Sequence, residues 1–212
     1  MGLAKLKPYY YTLEHYLEIE REAETRHEFI DGEIYQMAGE SGKHGDISAN
    51  LVAVVVSQLR GSKCRARTKD TKIRSGAMKE TFGKGMISYP DLVVICGEPE
   101  YHDKHRDIVL NPAVIIEVLS ESTAEFDRGE KFMRYRNFNP TLTDYILVRQ
   151  DEPHVEHYNR QENGGWLLME YFGLDKSFEI NAIECRLNLS EIYDRVEFEE
   201  ENSMQANDDE NF

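Results

Sequence analysis

Two acids stand where acids are costly. Asp91 opens the apolar run Asp91-Leu92-Val93-Val94-Ile95-Cys96, and Glu117 lies inside a second one, Ala113-Val114-Ile115-Ile116-Glu117-Val118-Leu119. Burying an unpaired carboxylate costs on the order of several kcal/mol, so such a group normally has a compensating cation. Two carboxylates brought together from neighbouring strands would form an oxygen-ligand site for Mg2+ or Mn2+. The plainer alternative is that each acid edges its own strand and pairs with Arg or Lys. A carboxylate pair alone does not decide between the two.

Other residues could join this chemistry. Asp127, Lys131 and Tyr135 are spaced i, i+4 and i+8, along one face of a helix. Taken alone, that is an exposed Asp–Lys pair worth roughly a few tenths of a kcal/mol; it matters only if the face points at Asp91 and Glu117. His44 heads a long helix, either as an ordinary first-turn imidazole or as a proton shuttle or phosphate contact. Arg65, Arg67, Lys69, Lys72 and Arg74 form an alternating basic strip that could meet phosphate, or could pair with the many acids. His102 and His105 lack metal-ligand spacing and are read as structural. Walker, dinucleotide-binding, Gly-x-Ser-x-Gly and His-Glu-x-x-His patterns are absent, which disfavours a small-molecule hydrolase.

The elements that must position these groups are legible. Thr12 caps a short helix carrying Leu13, Tyr16, Leu17 and Ile19. Asp31-Gly32 between apolar stretches signals a tight hairpin, because its turn needs positive φ at both central residues. Ile47, Leu51, Val54, Val55 and Leu59 recur at helical spacing, and Gly61 stops that helix. The two acid-bearing runs, each led by a proline, read as central strands buried on both faces. A Gly/Lys-rich loop is expected over 76–85, a polar loop over 97–107, and a helix over 127–137. Strands are expected over 64–68, 70–74, 143–149, 154–159 and 166–172, and a short helix over 190–195. The fold class is α/β, or α+β mixed: a central mixed sheet flanked by helices.

Composition bounds the rest. The 212 residues are 40% hydrophobic and carry a net charge of −15, enough apolar material for one ample domain, placed at 1–196. Residues 197–212 hold seven acids and no Lys or Arg, and read as a solvated, disordered tail. The acidic balance argues against tight non-specific DNA binding, though not against a local basic site. No apolar run approaches the roughly 20 residues needed to cross a bilayer, and residues 1–8 do not read as a secretory signal. Cys64, Cys96 and Cys185 are widely separated and odd in number, so no disulfide framework or zinc knuckle is expected and each is read as a small buried hydrophobe. A cytoplasmic location follows from that reading.

At these residues the chain resembles the Uma2 family, also called DUF820, a restriction-endonuclease-type domain abundant in cyanobacteria. The matching segments include Tyr11-Thr12-Leu13-Glu14-His15-Tyr16-Leu17, Arg26-His27-Glu28-Phe29-Ile30-Asp31-Gly32-Glu33-Ile34, Met37-Ala38-Gly39 followed by His44, and Pro90-Asp91-Leu92-Val93-Val94. Further on come Ile116-Glu117-Val118-Leu119-Ser120-Glu121-Ser122-Thr123 and Asp127-Arg128-Gly129-Glu130-Lys131-Phe132 with Tyr135. The resemblance implies the restriction-endonuclease-like fold of the PD-(D/E)xK nucleases, with Asp91 as the Asp of the PD element and Glu117 as the acid of (D/E)xK. The lysine expected two residues after Glu117 is Leu119 here; family members that carry the lysine on the next helix map it to Lys131. Glu28 or His44 would complete the site. The implied activity is Mg2+- or Mn2+-dependent phosphodiester hydrolysis of DNA, by a possible homodimer. The alternative is a catalytically inactive module that keeps the nuclease fold for interaction or regulation, which Leu119 and the acidic charge favour.

Overall fold

The Thr12 side chain accepts a hydrogen bond from the backbone N–H of His15 (3.1 Å), and this cap starts α1 (Leu13–Glu22). These are the first elements of a computed structural model that describes residues 10–76 and 84–198. Strands β1 (His27–Ile30) and β2 (Glu33–Gln36) form the expected hairpin. Asp31 and Gly32 take φ of 48° and 95° at the turn. A Cβ on Gly32 would also lie 2.9 Å from Cβ of Tyr10, so glycine is needed there for space as well as for backbone.

Ser41 caps α2 (Gly42–Gln58), accepting from the N–H of His44 (3.1 Å). The helix buries Ile47, Leu51 and Val55. There follow β3 (Cys64–Thr68), β4 (Lys72–Ser75), β5 (Met86–Ser88), β6 (Leu92–Cys96), β7 (Ile108–Val109) and β8 (Val114–Leu119). The segment after β8 holds α3 (Ala124–Phe126), a π-helical turn (Asp127–Lys131) and α4 (Phe132–Phe138). The chain continues through β9 (Asp144–Arg149), β10 (His154–Arg160), β11 (Trp166–Phe172), β12 (Ser177–Ile180), β13 (Cys185–Asn188) and α5 (Leu189–Ile192).

Among the described residues the strands make a six-stranded sheet in the order β11-β10-β9-β8-β6-β3, a five-stranded sheet in the order β2-β1-β5-β4-β7, and the small pair β12-β13. The large sheet is mixed, as expected. Its one parallel pair, β8 with β9, is joined by the helical crossover that a parallel connection requires. On one face α2 lays Ile47, Leu51 and Val55 against Leu92, Val94, Ile116 and Ile146. On the other, Val93, Ile95 and Ile115 pack with Phe132, Tyr135 and Tyr145 and with Ile73 and Met86 of the second sheet. β8 is buried along its whole length and β6 along all but its last residue, as their unbroken apolar runs predict.

The cysteine expectation is corrected. The β3–β6 register sets Cys64 directly opposite Cys96, with Cα atoms 4.0 Å apart, and the two form a disulfide. Thirty-two residues of separation along the chain say nothing about adjacency in a sheet. Only Cys185 is free and buried among the described residues. Of the expected acidic tail, residues 199–212 lie outside the described residues, as do residues 77–83 of the expected Gly/Lys-rich loop. No helix is long and apolar enough to cross a membrane among the described residues.

Candidate active site

β6 and β8 run antiparallel with Leu92 facing Ile116. Asp91 lies at the bend just before β6, near enough to the next β8 residue, Glu117, for its charge to act on that carboxyl. Asp91 is locked to the neighbouring strand: its Oδ2 accepts from the backbone N–H of Val118 at 2.7 Å. Its Oδ1 meets His44 Nε2 at 2.8 Å, delivered by the first turn of α2.

The helical crossover delivers the cation. Lys131 Nζ lies 3.0 Å from Glu117 Oε1, 3.1 Å from Asp127 Oδ1 and 3.6 Å from Glu28 Oε1. Glu28 stands on β1, where its Oε1 also accepts from the N–H of Tyr89 at 3.2 Å. The Tyr135 hydroxyl donates to Glu117 Oε1 at 3.2 Å and lies 2.8 Å from Ser88 Oγ. Asp127 and Lys131 bracket the π-helical turn, and the Tyr145 hydroxyl donates to the Asp127 carbonyl at 3.0 Å. The i, i+4, i+8 face thus does point at Glu117, though through a widened turn rather than the regular α-helix expected. Such π-bulges are frequent at functional sites.

The electrostatics are those of too many acids for one cation. Glu117, Asp127 and Lys131 are buried. Burial pushes the Glu117 carboxyl well above its usual range; the Lys131 charge pulls it down, and the charges of Asp127 and Asp91 push it up again. Burial also works against the Lys131 ammonium, but Glu117, Glu28 and Asp127 outweigh it and hold its pKa well above that of an ordinary lysine. The ammonium keeps its proton, held by the acids around it, and the Glu117 carboxyl, opposed by burial and by its neighbouring acids, is hard to ionise. Asp91, His44 and Glu28 are less enclosed, with side chains 12%, 15% and 15% exposed, so solvent reaches the group from their side.

All five expected site residues, Asp91, Glu117, Lys131, His44 and Glu28, therefore lie in one contiguous cluster. Asp91 and Glu117 are the pair that could hold a divalent cation. Among the described residues no three acid, histidine or cysteine side chains are already set as a complete metal cage. Two surface hollows, of about 630 and 430 Å3, lie elsewhere: along α4 near Arg128 and Phe138, and beside Tyr10 and Tyr35. Ser88 was missed, because it sits on a three-residue strand with no periodic signal. The basic strip is split, because β3 and β4 belong to different sheets; Lys69 pairs with Glu40, Lys72 Nζ lies 3.1 Å from Asp107 Oδ2, Arg67 donates to the Tyr101 hydroxyl at 2.8 Å, and Arg65 is exposed.

The fold is the restriction-endonuclease-like one, a mixed sheet flanked by helices with acids at the junction of two central strands. Residues 13–190 match the Uma2 family, whose description reads "Putative restriction endonuclease", and the chain belongs to that family. It is 32% identical over 185 residues to the uncharacterized protein slr1290 of Synechocystis sp., covering 87% of this chain and 92% of that one. The uncharacterized protein sll1609 of the same organism is 34% identical over 173 residues, covering 82% and 94%. A crystal structure of "a putative nuclease belonging to DUF820" from Anabaena variabilis superposes with a TM-score of 0.67 over 86% of this chain and 97% of that one, at 20% identity.

Proposed function

We propose that this protein is a divalent-metal-dependent nuclease that hydrolyses phosphodiester bonds of DNA. The observation that carries the proposal is the meeting of Lys131 from the crossover helix with Glu117, one strand over from Asp91. Family membership and the Anabaena protein, described as a putative nuclease, point the same way. The donor chemistry suits a hard cation: carboxylate oxygens of Asp91 and Glu117 near one another, a surplus of negative charge around one ammonium, and partly exposed Asp91, His44 and Glu28 on one side.

In this reading Asp91 and Glu117 would hold Mg2+ or Mn2+, which when bound would supply charge neutralisation at the phosphate and a more acidic water. Lys131 would orient the attacking water and offset negative charge growing on the phosphoryl oxygens. Asp127 and Glu28 hold the ammonium in place. His44, hydrogen-bonded to Asp91, fixes that carboxylate and is positioned to move a proton at the exposed side of the cluster.

The test is cleavage of plasmid, linear duplex, single-stranded DNA and RNA with Mg2+ or Mn2+. Asp91→Ala, Glu117→Gln and Lys131→Met should each abolish cutting, with circular dichroism unchanged. A purified protein that cuts none of these would sink the proposal.

One observation favours a second reading. Leu119 stands at the usual lysine position, only 4% exposed, and Glu117 already has an internal cation partner. These suit an inactive nuclease-fold module used for interaction or regulation. Calorimetric titration with Mg2+ and Mn2+ separates the two: a nuclease binds the ion and loses binding in Asp91→Ala, whereas the module binds none.

A further inference from the structure

Outside the five-residue cluster, Glu20 is a further buried acid. It stands near the end of α1 with its side chain only 2% exposed. Among the described residues no Lys or Arg forms an ion pair with it; the His27 ring meets it instead, Nδ1 lying 3.0 Å from Oε2. A buried carboxylate persists only where hydrogen bonds replace its water. Its Oε1 accepts from the His27 backbone N–H at 3.0 Å and from the Tyr89 hydroxyl at 2.5 Å. Burial, and the hydrogen bond to Glu20, hold the Tyr89 phenol well above its ordinary pKa, so it stays a donor. The Tyr89 ring centre also lies 5.1 Å from Lys72 Nζ, a cation–π contact that helps to fix it.

Both partners of Glu20 adjoin the candidate site. His27 is the residue before Glu28 on β1. Tyr89 donates its backbone N–H to Glu28 Oε1 at 3.2 Å, and only Pro90 separates it from Asp91. Proline fixes its own φ and confines the residue before it to extended backbone, so the segment Tyr89-Pro90-Asp91 is stiff. A single buried carboxylate on α1 thus grips the two segments that carry Glu28 and Asp91. The Tyr16 hydroxyl, donating to the His27 carbonyl at 2.6 Å, is a second tie from the same helix.

We propose that Glu20 is a positioning residue for the candidate site: acting through His27 and Tyr89, it sets where the Glu28 and Asp91 carboxylates stand. Its own hydrogen bonds go to those two residues and to none of Glu28, Asp91, Glu117 and Lys131. The catalytic consequence rests on the nuclease reading; the placement of the two carboxylates does not.

Amide hydrogen exchange, read residue by residue by NMR on the full chain without metal, tests that placement. Two amides report it: Tyr89 N–H, which donates to Glu28, and Val118 N–H, which donates to Asp91. In Glu20→Ala both should exchange roughly tenfold faster, the effect of about one lost buried hydrogen bond, while the amides of β9 and β10 keep their rates. Glu20→Gln keeps an acceptor for the His27 N–H and the Tyr89 hydroxyl, and should restore most of the protection. Should Glu20→Ala fail to fold, Tyr89→Phe carries the test: it removes one contact, keeps the ring, and should speed the same two amides. Unchanged rates at both amides overturn the proposal. Equal acceleration throughout the large sheet also overturns it, making Glu20 a general stabiliser. Plasmid cleavage with Mg2+ reads the consequence: Glu20→Ala should lower kcat roughly tenfold with KM within about twofold. A cutting wild type whose kcat survives Glu20→Ala overturns the proposal. A wild type that does not cut sinks the nuclease reading alone, because exchange still decides whether Glu20 sets the two carboxylates.

Discussion

Glu117 and Lys131 bear opposite relations to stability although they touch. The carboxyl of Glu117 has a folded pKa raised above its ordinary 4.5. A raised acid favours folding only in its protonated form, so relative to a neutral side chain it weakens the fold once pH exceeds the unfolded value. Glu117→Gln should therefore raise the metal-free protein's stability at neutral pH by on the order of 1 kcal/mol. The gain should vanish as pH falls below about 4.5, the pKa the group has when unfolded. Urea unfolding at two pH values reads this directly. Lys131 is the reverse case. Its raised pKa contributes stability that is fully present below the ordinary lysine value of 10.5 and is lost only as pH rises through the folded value. Lys131→Met leaves Glu117 and Asp127 without their ammonium and should cost about 3 kcal/mol at neutral pH, the usual size for breaking a buried pair. A loss smaller than that of a surface Lys→Met control would show that the cluster is not closed as described.

At the scale of elements, the crossover between β8 and β9 does most to assemble the site. Its π-helical turn is anchored where the Tyr145 hydroxyl meets the Asp127 carbonyl, a fully buried contact. Tyr145→Phe removes that donor and should cost about 1–2 kcal/mol in chemical denaturation. It should also lower nuclease activity more than its stability loss explains, because the turn seats Lys131. This turn was not legible in sequence, since a spacing of four between Asp127 and Lys131 suits a regular α-helix equally well. The elements that were legible have strong local signatures: the Asp31-Gly32 turn, the spacing of Ile47, Leu51 and Val55, and the continuous apolar runs of β6 and β8. β7 and the β12–β13 pair are too short, or too mixed in polarity, to announce themselves. The acids Asp91 and Glu117 were legible because charge is conspicuous in an apolar run. That Asp91 comes near Glu117 follows from how β6 lies beside β8, as the Cys64–Cys96 pairing follows from the β3–β6 register, and such placement belongs to two segments at once.

For the molecule as a whole, the Cys64–Cys96 bond ties the outer strand β3 to β6, the strand that begins beside Asp91. Closing a loop of this length is worth roughly 4 kcal/mol of unfolded-state entropy. Dithiothreitol should therefore lower the urea midpoint of the wild type and leave that of Cys64→Ser/Cys96→Ser unchanged. Equal midpoints for the wild type with and without reductant would show that the bridge does not form in solution. The placement of Lys131 has a further consequence. Its ammonium travels on the crossover rather than on the strand that bears Glu117, so the acidic half of the centre and its cationic half are separate inheritable parts. Recombination between relatives could exchange the segment from Ala124 to Phe138 as a cassette, replacing or removing the ammonium while the strands that carry Asp91 and Glu117 pass on unaltered.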